Sequence, residues 1–203
     1  MPQTNLRVFL LLLIAVLLGG GGTTIASLAL PIDAQLIQVT GAWRRTHPDA
    51  AHLLVWLTQL GGAPVTIGLA AIACLLTAGR AKADAVLLAA TVLGGRLMIE
   101  IIKWLVDRPR PAYDIYPVNV FSQSFPSAHA GNSMITYLAI ALVALPRRWR
   151  GVGTVGAVLL SLAIGTTRPV LGVHWPSDVL AGWGFGIAWV LLCLALGRRF
   201  RTS

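Results

Sequence analysis

The chain is expected to fold as an all-α integral membrane protein: six transmembrane helices in a bundle, with short interfacial helices in the first outer loop. Three observations predict this. Hydrophobic residues fill 56% of the 203 positions and charged residues only 11%, against about a quarter charged in an average soluble domain. Apolar runs fall at Val8 to Leu30, Ala63 to Gly79, Ala85 to Val106, Ala130 to Leu145, Val152 to Thr167 and Val179 to Gly197. Several approach the roughly 20 residues that cross a bilayer core. Finally, Arg7, Arg80, Lys82, Arg147, Arg148, Arg150, Arg198, Arg199 and Arg201 sit at alternate ends of these runs. Six crossings gather them on one side, which the positive-inside rule makes the cytoplasm. Both termini are then cytoplasmic and the loops 31–62, 107–128 and 168–177 face out, with Arg44 and Arg45 running against the rule. The same distribution argues against a nucleic-acid partner in spite of the formal charge of +9.

The first run begins like a cleavable signal peptide, with Arg7 before a Leu-rich stretch. It stays apolar through Gly19 to Gly22 as far as Leu30, which favours a retained helix. Ile32 to Leu60 is interrupted by Trp43-Arg44-Arg45-Thr46-His47-Pro48-Asp49 and reads as one or two interfacial helices, not a span. His47 and His52 have no second ligand at metal spacing and read as interfacial or loop residues. Gly61-Gly62 before Pro64 reads as a turn feeding the second span. Cys74 and Cys193 lie inside predicted spans without CxxC spacing and read as thiols, neither paired nor catalytic.

Polar chemistry begins in the third span, where Arg96, Glu100, Lys103 and Asp107 recur at helical spacing and line one face. Charges at that depth persist where they pair or face a wet cavity. An Arg96/Glu100 ion pair is the plain structural reading, and a Glu100 that orients Lys103 is the functional one. Lys103 opens Lys-Trp-Leu-Val-Asp-Arg-Pro-Arg-Pro, in which two prolines force the chain out of the helix. Ala112 to Gln123 then reads as an outer loop shaping the mouth of a site. Ser124-Phe-Pro-Ser-Ala-His129 opens the fourth span, with Ser127 as N-cap and the free amides behind it forming an anion seat. Thr166 to Asp178 is a third polar island. Arg168 supplies a forked cation for phosphate oxygens. His174 reads as a nucleophile whose tautomer is fixed by Asp178, leaving its other nitrogen free. Taken alone, Thr166 to Asp178 reads more simply as a helix-end anchor, a loop histidine and a first-turn aspartate, and the other two islands also read as anchors and caps; it is their conjunction that reverses the balance. One helical hairpin separates His129 from His174, so both should arrive at the same membrane face.

Together the three islands resemble the tripartite signature of the type 2 phosphatidic acid phosphatase superfamily of membrane lipid phosphatases. Lys103 to Arg110-Pro111 stands for its first element and Pro126-Ser127-Ala128-His129 for its second, where Gly is usual in place of Ala128. Thr167-Arg168, His174 and Asp178 stand for its third, with Thr167 in place of Ser. The resemblance implies that His174, held by Asp178, attacks phosphorus to form a phosphohistidine and that His129 protonates the leaving oxygen. It implies phosphate binding by Lys103, Arg110, Ser127, Ala128 and Arg168, with Glu100, Arg108 and Thr167 supporting and Arg108 guiding substrate in. No metal or other cofactor is then needed. Residues 1–203 are then expected to form a single membrane-embedded phosphatase domain with its core at about 50–197. The expected partner is a lipid substrate in the bilayer: phosphatidic acid, phosphatidylglycerol phosphate or undecaprenyl diphosphate, cleaved at the outer face of the cell membrane. Trp104, Trp175 and Trp183 would border that interface. A lipid phosphotransferase and a non-catalytic scaffold binding anionic lipid are the alternatives. Gly182, Gly184 and Gly186 permit close helix packing without naming the helix they meet.

Overall fold

A computed structural model of the chain describes residues 31–112, 118 and 122–202, with side chains to Arg198. The described residues are helical, without strands: α1 Pro31–Thr46, α2 Pro48–Gln59, α3 Ala63–Ala78, α4 Lys82–Val106, α5 Ala128–Ala139, α6 Arg150–Val170 and α7 Pro176–Thr202. A wider turn, Ile140–Ala144, extends α5, and a tight turn, Arg147–Trp149, leads into α6. Among the described residues four segments are long and apolar enough to cross a membrane: Pro48–Ala78, Lys82–Val106, Arg147–Val170 and Pro176–Arg198. Ala128–Ala144 is a shorter apolar helix. The run expected at Val8 to Leu30 lies outside the described residues. Pro48–Ala78 reaches membrane length by joining α2 to α3 across the Gly61-Gly62 turn, whereas the sequence reading left α2 to the interface.

The short helix is the central one. Residues 130–136 of α5 are all buried, and α3, α4, α6 and α7 pack around it. At 1.5 Å per residue Ala128–Ala144 is about 26 Å long, and a helix surrounded by protein need not match the thickness of the bilayer. Leu88, Val92 and Ile99 of α4 meet Met134 and Ile135 of α5 and Phe185 of α7 in the core. Large apolar side chains such as Leu75, Leu97, Leu159 and Leu180 point outward, the inside-out surface that a lipid environment tolerates.

Two glycines of the 182–186 stripe meet α5, and the third does not. A Cβ on Gly182 would stand 2.7 Å from the Ser127 carbonyl oxygen, and one on Gly186 2.9 Å from the Met134 Cβ, while Gly184 faces open space. Because the Ser127 oxygen belongs to rigid backbone at a helix start, Gly182→Val is expected to push α7 off α5. An overpacking loss of about 1–3 kcal/mol should appear as a lower midpoint of thermal unfolding in detergent. Gly184→Val should leave the midpoint in place, and equal shifts in the two variants would refute this packing.

α1 lies across the end of the bundle. Its inner face buries Asp33, Ile37 and Gly41. Thr40 donates from Oγ1 to the Pro169 carbonyl at 3.2 Å, and Arg44 from Nη1 to the Val170 carbonyl at 2.9 Å. Arg44 thus serves the C-terminal carbonyls of α6, where a cation complements the helix dipole, a local reason for its departure from the positive-inside pattern. Ile32, Leu36, Val39 and Trp43 are exposed at i, i+4, i+7 and i+11 on the opposite face. His47 stacks on Trp43 with ring centroids 5.0 Å apart. Cys74 and Cys193 are free, half-buried thiols.

Candidate active site

Four chain segments deliver the polar islands to one end of the bundle. α4 ends at Asp107, whose φ of 48° turns the chain out of the helix, while its N–H still donates to the Lys103 carbonyl at 3.0 Å. The Arg108 carbonyl then accepts the Ser124 N–H at 2.8 Å, which brings the far end of the loop back beside α4. α5 starts after Ser127, whose N–H donates to the Asp178 carbonyl at 3.0 Å and ties this start to α7. α6 carries Arg168 in its last turn and ends at Val170, and Gly172 at φ 76° reverses the chain, a conformation that costs a glycine little. The reversal carries Val173 and His174 back inward, where both are buried.

His174 is 1% exposed. Its Nδ1 lies 3.5 Å from Asp178 Oδ2 and 3.4 Å from Ser124 Oγ, and its Nε2 lies 3.1 Å from Arg110 Nη1. A guanidinium can only donate, so Nε2 must carry a lone pair and the ring proton belongs on Nδ1, toward Asp178. Burial, followed by the charges of Arg168, Arg110 and Lys103, holds the His174 pKa well below the usual histidine value. Both arguments describe a neutral imidazole with Nε2 turned toward the cations. Asp178 is itself held on all sides. Its Oδ2 accepts from Ser124 Oγ and, at 2.9 Å, from the Trp175 N–H, and its Oδ1 accepts from Arg108 Nη1.

Three cations converge on this ring. Arg110 donates to the Ser122 carbonyl at 2.8 Å, the Val173 carbonyl at 2.6 Å and the Gln123 carbonyl at 3.3 Å. Lys103, 1% exposed, donates to the same Gln123 carbonyl. Arg168, 3% exposed, donates from Nη1 to Thr58 Oγ1 at 2.8 Å, and its Nε is buried without a partner among the described residues. The hydroxyl of Ser127 is likewise buried and unpartnered. Ser127 therefore occupies the N-cap position expected of it but makes no side-chain cap. His129, in the first turn of α5, is close enough to Arg168, His174, Arg110 and Lys103 to feel their charges.

Several expected residues sit differently. Glu100 is exposed, with no ion pair to Arg96 among the described residues, and Arg96 instead reaches Thr66 Oγ1 at 3.2 Å. The helix turns Glu100 away from the face that buries Ile99, Ile102 and Lys103. Arg108 was expected to guide substrate in, yet it is 5% exposed and bridges Asp178 and Asp33. The Thr167 hydroxyl is spent within α6, donating to the Ile164 carbonyl at 2.6 Å. Ala128 lies in the first turn of α5 without a positive φ, so the backbone there makes no demand for glycine. Trp104 is 75% exposed, but Trp183 is half-buried, packs over Gly165 and donates to the Ser161 carbonyl. Asp33, Thr58 and Ser124 were not anticipated as participants. A lone Asp at the start of an amphipathic helix and a Thr near a helix end carry no motif, although Ser124 stood at the edge of the second island.

A family model described as the PAP2 superfamily matches residues 84–201, more than half of the chain. The chain belongs to this superfamily. All three motif elements of this PAP2 protein, from Lys103 to Asp178, fall within the matched stretch. It is 32% identical over 138 residues to the lipid A 1-phosphatase of Rhizobium etli, covering 60% of this chain and 56% of the relative. Identity is 29% over 144 residues with the undecaprenyl-diphosphatase of Sulfolobus acidocaldarius, covering 68% and 66%. With phosphatidylglycerophosphatase B of Bacillus subtilis it is 34% over 120 residues, covering 53% and 57%. The matches thus span between about half and two thirds of these relatives. The fold is shared with the crystal structure of a transmembrane PAP2 type phosphatidylglycerolphosphate phosphatase from Bacillus subtilis, with a TM-score of 0.79, 23% identity and 96% of each chain covered. Membrane-length helices and this transmembrane fold identify the PAP2 protein as an integral membrane protein.

Proposed function

We propose that this PAP2 protein is a lipid phosphatase that works through a phosphohistidine on His174, at the outer face of the membrane. The observation that carries the reading is a buried neutral His174, with Asp178 and Ser124 at Nδ1 and the cation Arg110 at Nε2. A histidine held only for structure does not need an unprotonated nitrogen aimed into positive charge. The Nε2 lone pair attacks phosphorus, the bond from phosphorus to the leaving oxygen breaks, and His129, carrying a proton once the negative charge of the bound phosphate offsets Arg168, Arg110 and Lys103, supplies it to that oxygen. Asp178 balances the positive charge developing at Nδ1–H without accepting the proton. Water, giving a proton to the now neutral His129, then attacks the phosphohistidine, the P–N bond breaks with its electron pair returning to Nε2, and phosphate leaves. Lys103, Arg110 and Arg168 spread positive charge over the equatorial oxygens. The unpartnered Arg168 Nε and Ser127 Oγ are donors that phosphate oxygens would satisfy; leaving such a group unmade costs about 1–3 kcal/mol. With the charge supplied by side chains, turnover should resist chelators.

The relatives' names point to lipid phosphates and diphosphates as substrates. An active end rimmed by lipid-facing helices suits a head bound by cations and a tail left in the bilayer. The test is phosphate release from phosphatidic acid, phosphatidylglycerol phosphate and undecaprenyl diphosphate in detergent with a chelator present. Chelator-resistant release from one of them supports the reading. If all three stay intact, the site binds anionic lipid without turnover. If the phosphoryl group appears on an added alcohol and not as free phosphate, the protein is a phosphotransferase.

The pH dependence follows from the depressed pKa of His174. The groups facing this ring are Asp178, Ser124, Arg110, Arg168, Lys103 and His129; cations outnumber the one carboxylate in contact, so protonation is disfavoured. A nucleophile must be neutral, and a lowered pKa keeps it neutral to lower pH. The acid limb of kcat/KM, which reports the free enzyme, is therefore expected well below about 6.5, the unperturbed histidine value. A limb at or above that value would contradict the burial and charge described for His174.

A further inference from the structure

Asp33 is the one buried carboxylate of α1, and its whole environment belongs to the His174 end of the bundle. It is 1% exposed. Its Oδ1 accepts the Ser177 N–H at 3.0 Å, and its Oδ2 accepts the Ser177 hydroxyl and, at 3.0 Å, Arg108 Nη2. The other arm of Arg108, Nη1, reaches Ser177 Oγ at 2.8 Å and Asp178 Oδ1. The guanidinium carbon lies 5.5 Å from the centre of the Trp175 ring, which closes the remaining side. Thr40 and Arg44 pin the helix that carries Asp33 to the end of α6, so this carboxylate is held by α1 and not by a mobile loop.

The charges show what such an arrangement accomplishes. Arg108 and Asp178 alone form a neutral pair, and a neutralised Asp178 has little left with which to balance the positive charge that develops on His174. Asp33 brings the buried trio back to a net charge of −1. It also splits the guanidinium between two carboxylates, so that Asp178 Oδ2 stays turned toward Nδ1, Ser124 and the Trp175 amide. Resting on the phosphatase reading above, we propose that Asp33 is a positioning residue for the His174–Asp178 pair, acting through Arg108 to keep net negative charge beside the nucleophile. Sequence alone hides this role, since Asp33 lies 75 residues before Arg108 and 144 before Ser177.

The experiment compares wild type, His174→Ala, Asp33→Asn, Asp33→Glu, Arg108→Gln and Asp33→Asn/Arg108→Gln. Steady-state phosphate release is measured on the three lipids named above, and thermal unfolding is recorded for each variant. Asp33→Asn is expected to lower kcat on the order of 10- to 100-fold, the scale of a misplaced reacting group, with KM within about twofold. Asp33→Glu should recover part of kcat because it keeps the charge. In the double variant the losses should not multiply, since removing Arg108 removes the charge that Asp33 balances. Where Asp33→Asn alone fails to fold, the double variant carries the test, because it removes the Arg108 cation together with its Asp33 partner while Asp178 keeps Ser124 and the Trp175 amide: kcat no lower than that of Arg108→Gln supports the proposal. Any of three results overturns it: kcat of Asp33→Asn within twofold of wild type, a loss confined to KM, or losses that multiply in the double variant. A silent wild type or an active His174→Ala defeats the phosphatase reading itself. Loss of activity in His174→Ala beside an unimpaired Asp33→Asn defeats only the positioning role.

Discussion

His174→Ala is expected to abolish phosphate release from every lipid that the wild type cleaves, by roughly four orders of magnitude or more in kcat, as for other nucleophiles that form covalent intermediates. The geometry makes the loss specific to chemistry. His174 Nε2 has Arg110 as its hydrogen-bond neighbour, and Nδ1 meets only Ser124 and Asp178, which retain other partners in the variant. Asp178 keeps Arg108, Ser124 and the Trp175 amide, so its charge is not stranded. The unfolding midpoint should move much less than activity. Quenching into alkaline denaturant after brief exposure to a phosphorus-labelled lipid should find a base-stable, acid-labile phosphoryl group on the wild type and none on the variant. Label that persists in His174→Ala, or turnover within tenfold of wild type, would remove His174 as the nucleophile and leave anionic-lipid binding as the better account of the three cations.

Arg110→Ala ranks second in expected effect. Arg110 is the cation in direct contact with the His174 ring, and three backbone carbonyls, of Ser122, Val173 and Gln123, aim its fork. A charge preorganised in this way stabilises a phosphoryl group in transfer far more than one that must reorganise, and losing such a donor costs about 10²–10³-fold in kcat. Arg110→Lys should recover little. A lysine keeps the charge but cannot address Val173 and Ser122 while also facing His174. Recovery to within a few-fold of wild type by lysine would show that charge alone matters and that the fork does not. A change in KM alone would make Arg110 a binding residue with no preference for the transition state.

The two experiments depend on parts of the site that were legible to different degrees. The candidate nucleophile, its carboxylate and the cations Lys103, Arg110 and Arg168 stand in the sequence as charged islands between apolar runs, and short-range spacing defines each island. Membrane proteins show this kind of feature openly, because a charge inside an apolar stretch is costly and persists for a reason. Asp33 and Thr58 had no such contrast. They lie in an amphipathic stretch where polar residues are ordinary, and only the placement of α1 and α2 over the bundle end gives them Arg108 and Arg168 as partners. Arg108 illustrates the same limit from within a recognised island. Its neighbour Arg110 points at His174 and Arg108 at Asp33 and Asp178; this division is set by the turn at Asp107 and by which carboxylates wait on either side.

By itself the sequence determined the all-helical membrane class, the apolar segments from Ala63 onward and the family, and it put forward the candidate residues for chemistry. Those properties follow from composition and from spacings shorter than a helical turn or two, which hydropathy and motif geometry express locally. The tertiary structure alone decided that α5 is the central helix, that Gly182 and Gly186 but not Gly184 meet it, that Trp183 turns inward, and that Asp33 joins the His174–Asp178 pair through Arg108. Each of these depends on contacts between segments far apart in the chain. Inside a membrane-type bundle such contacts are selected by close packing and buried charge balance, and neither leaves a periodic trace along the chain.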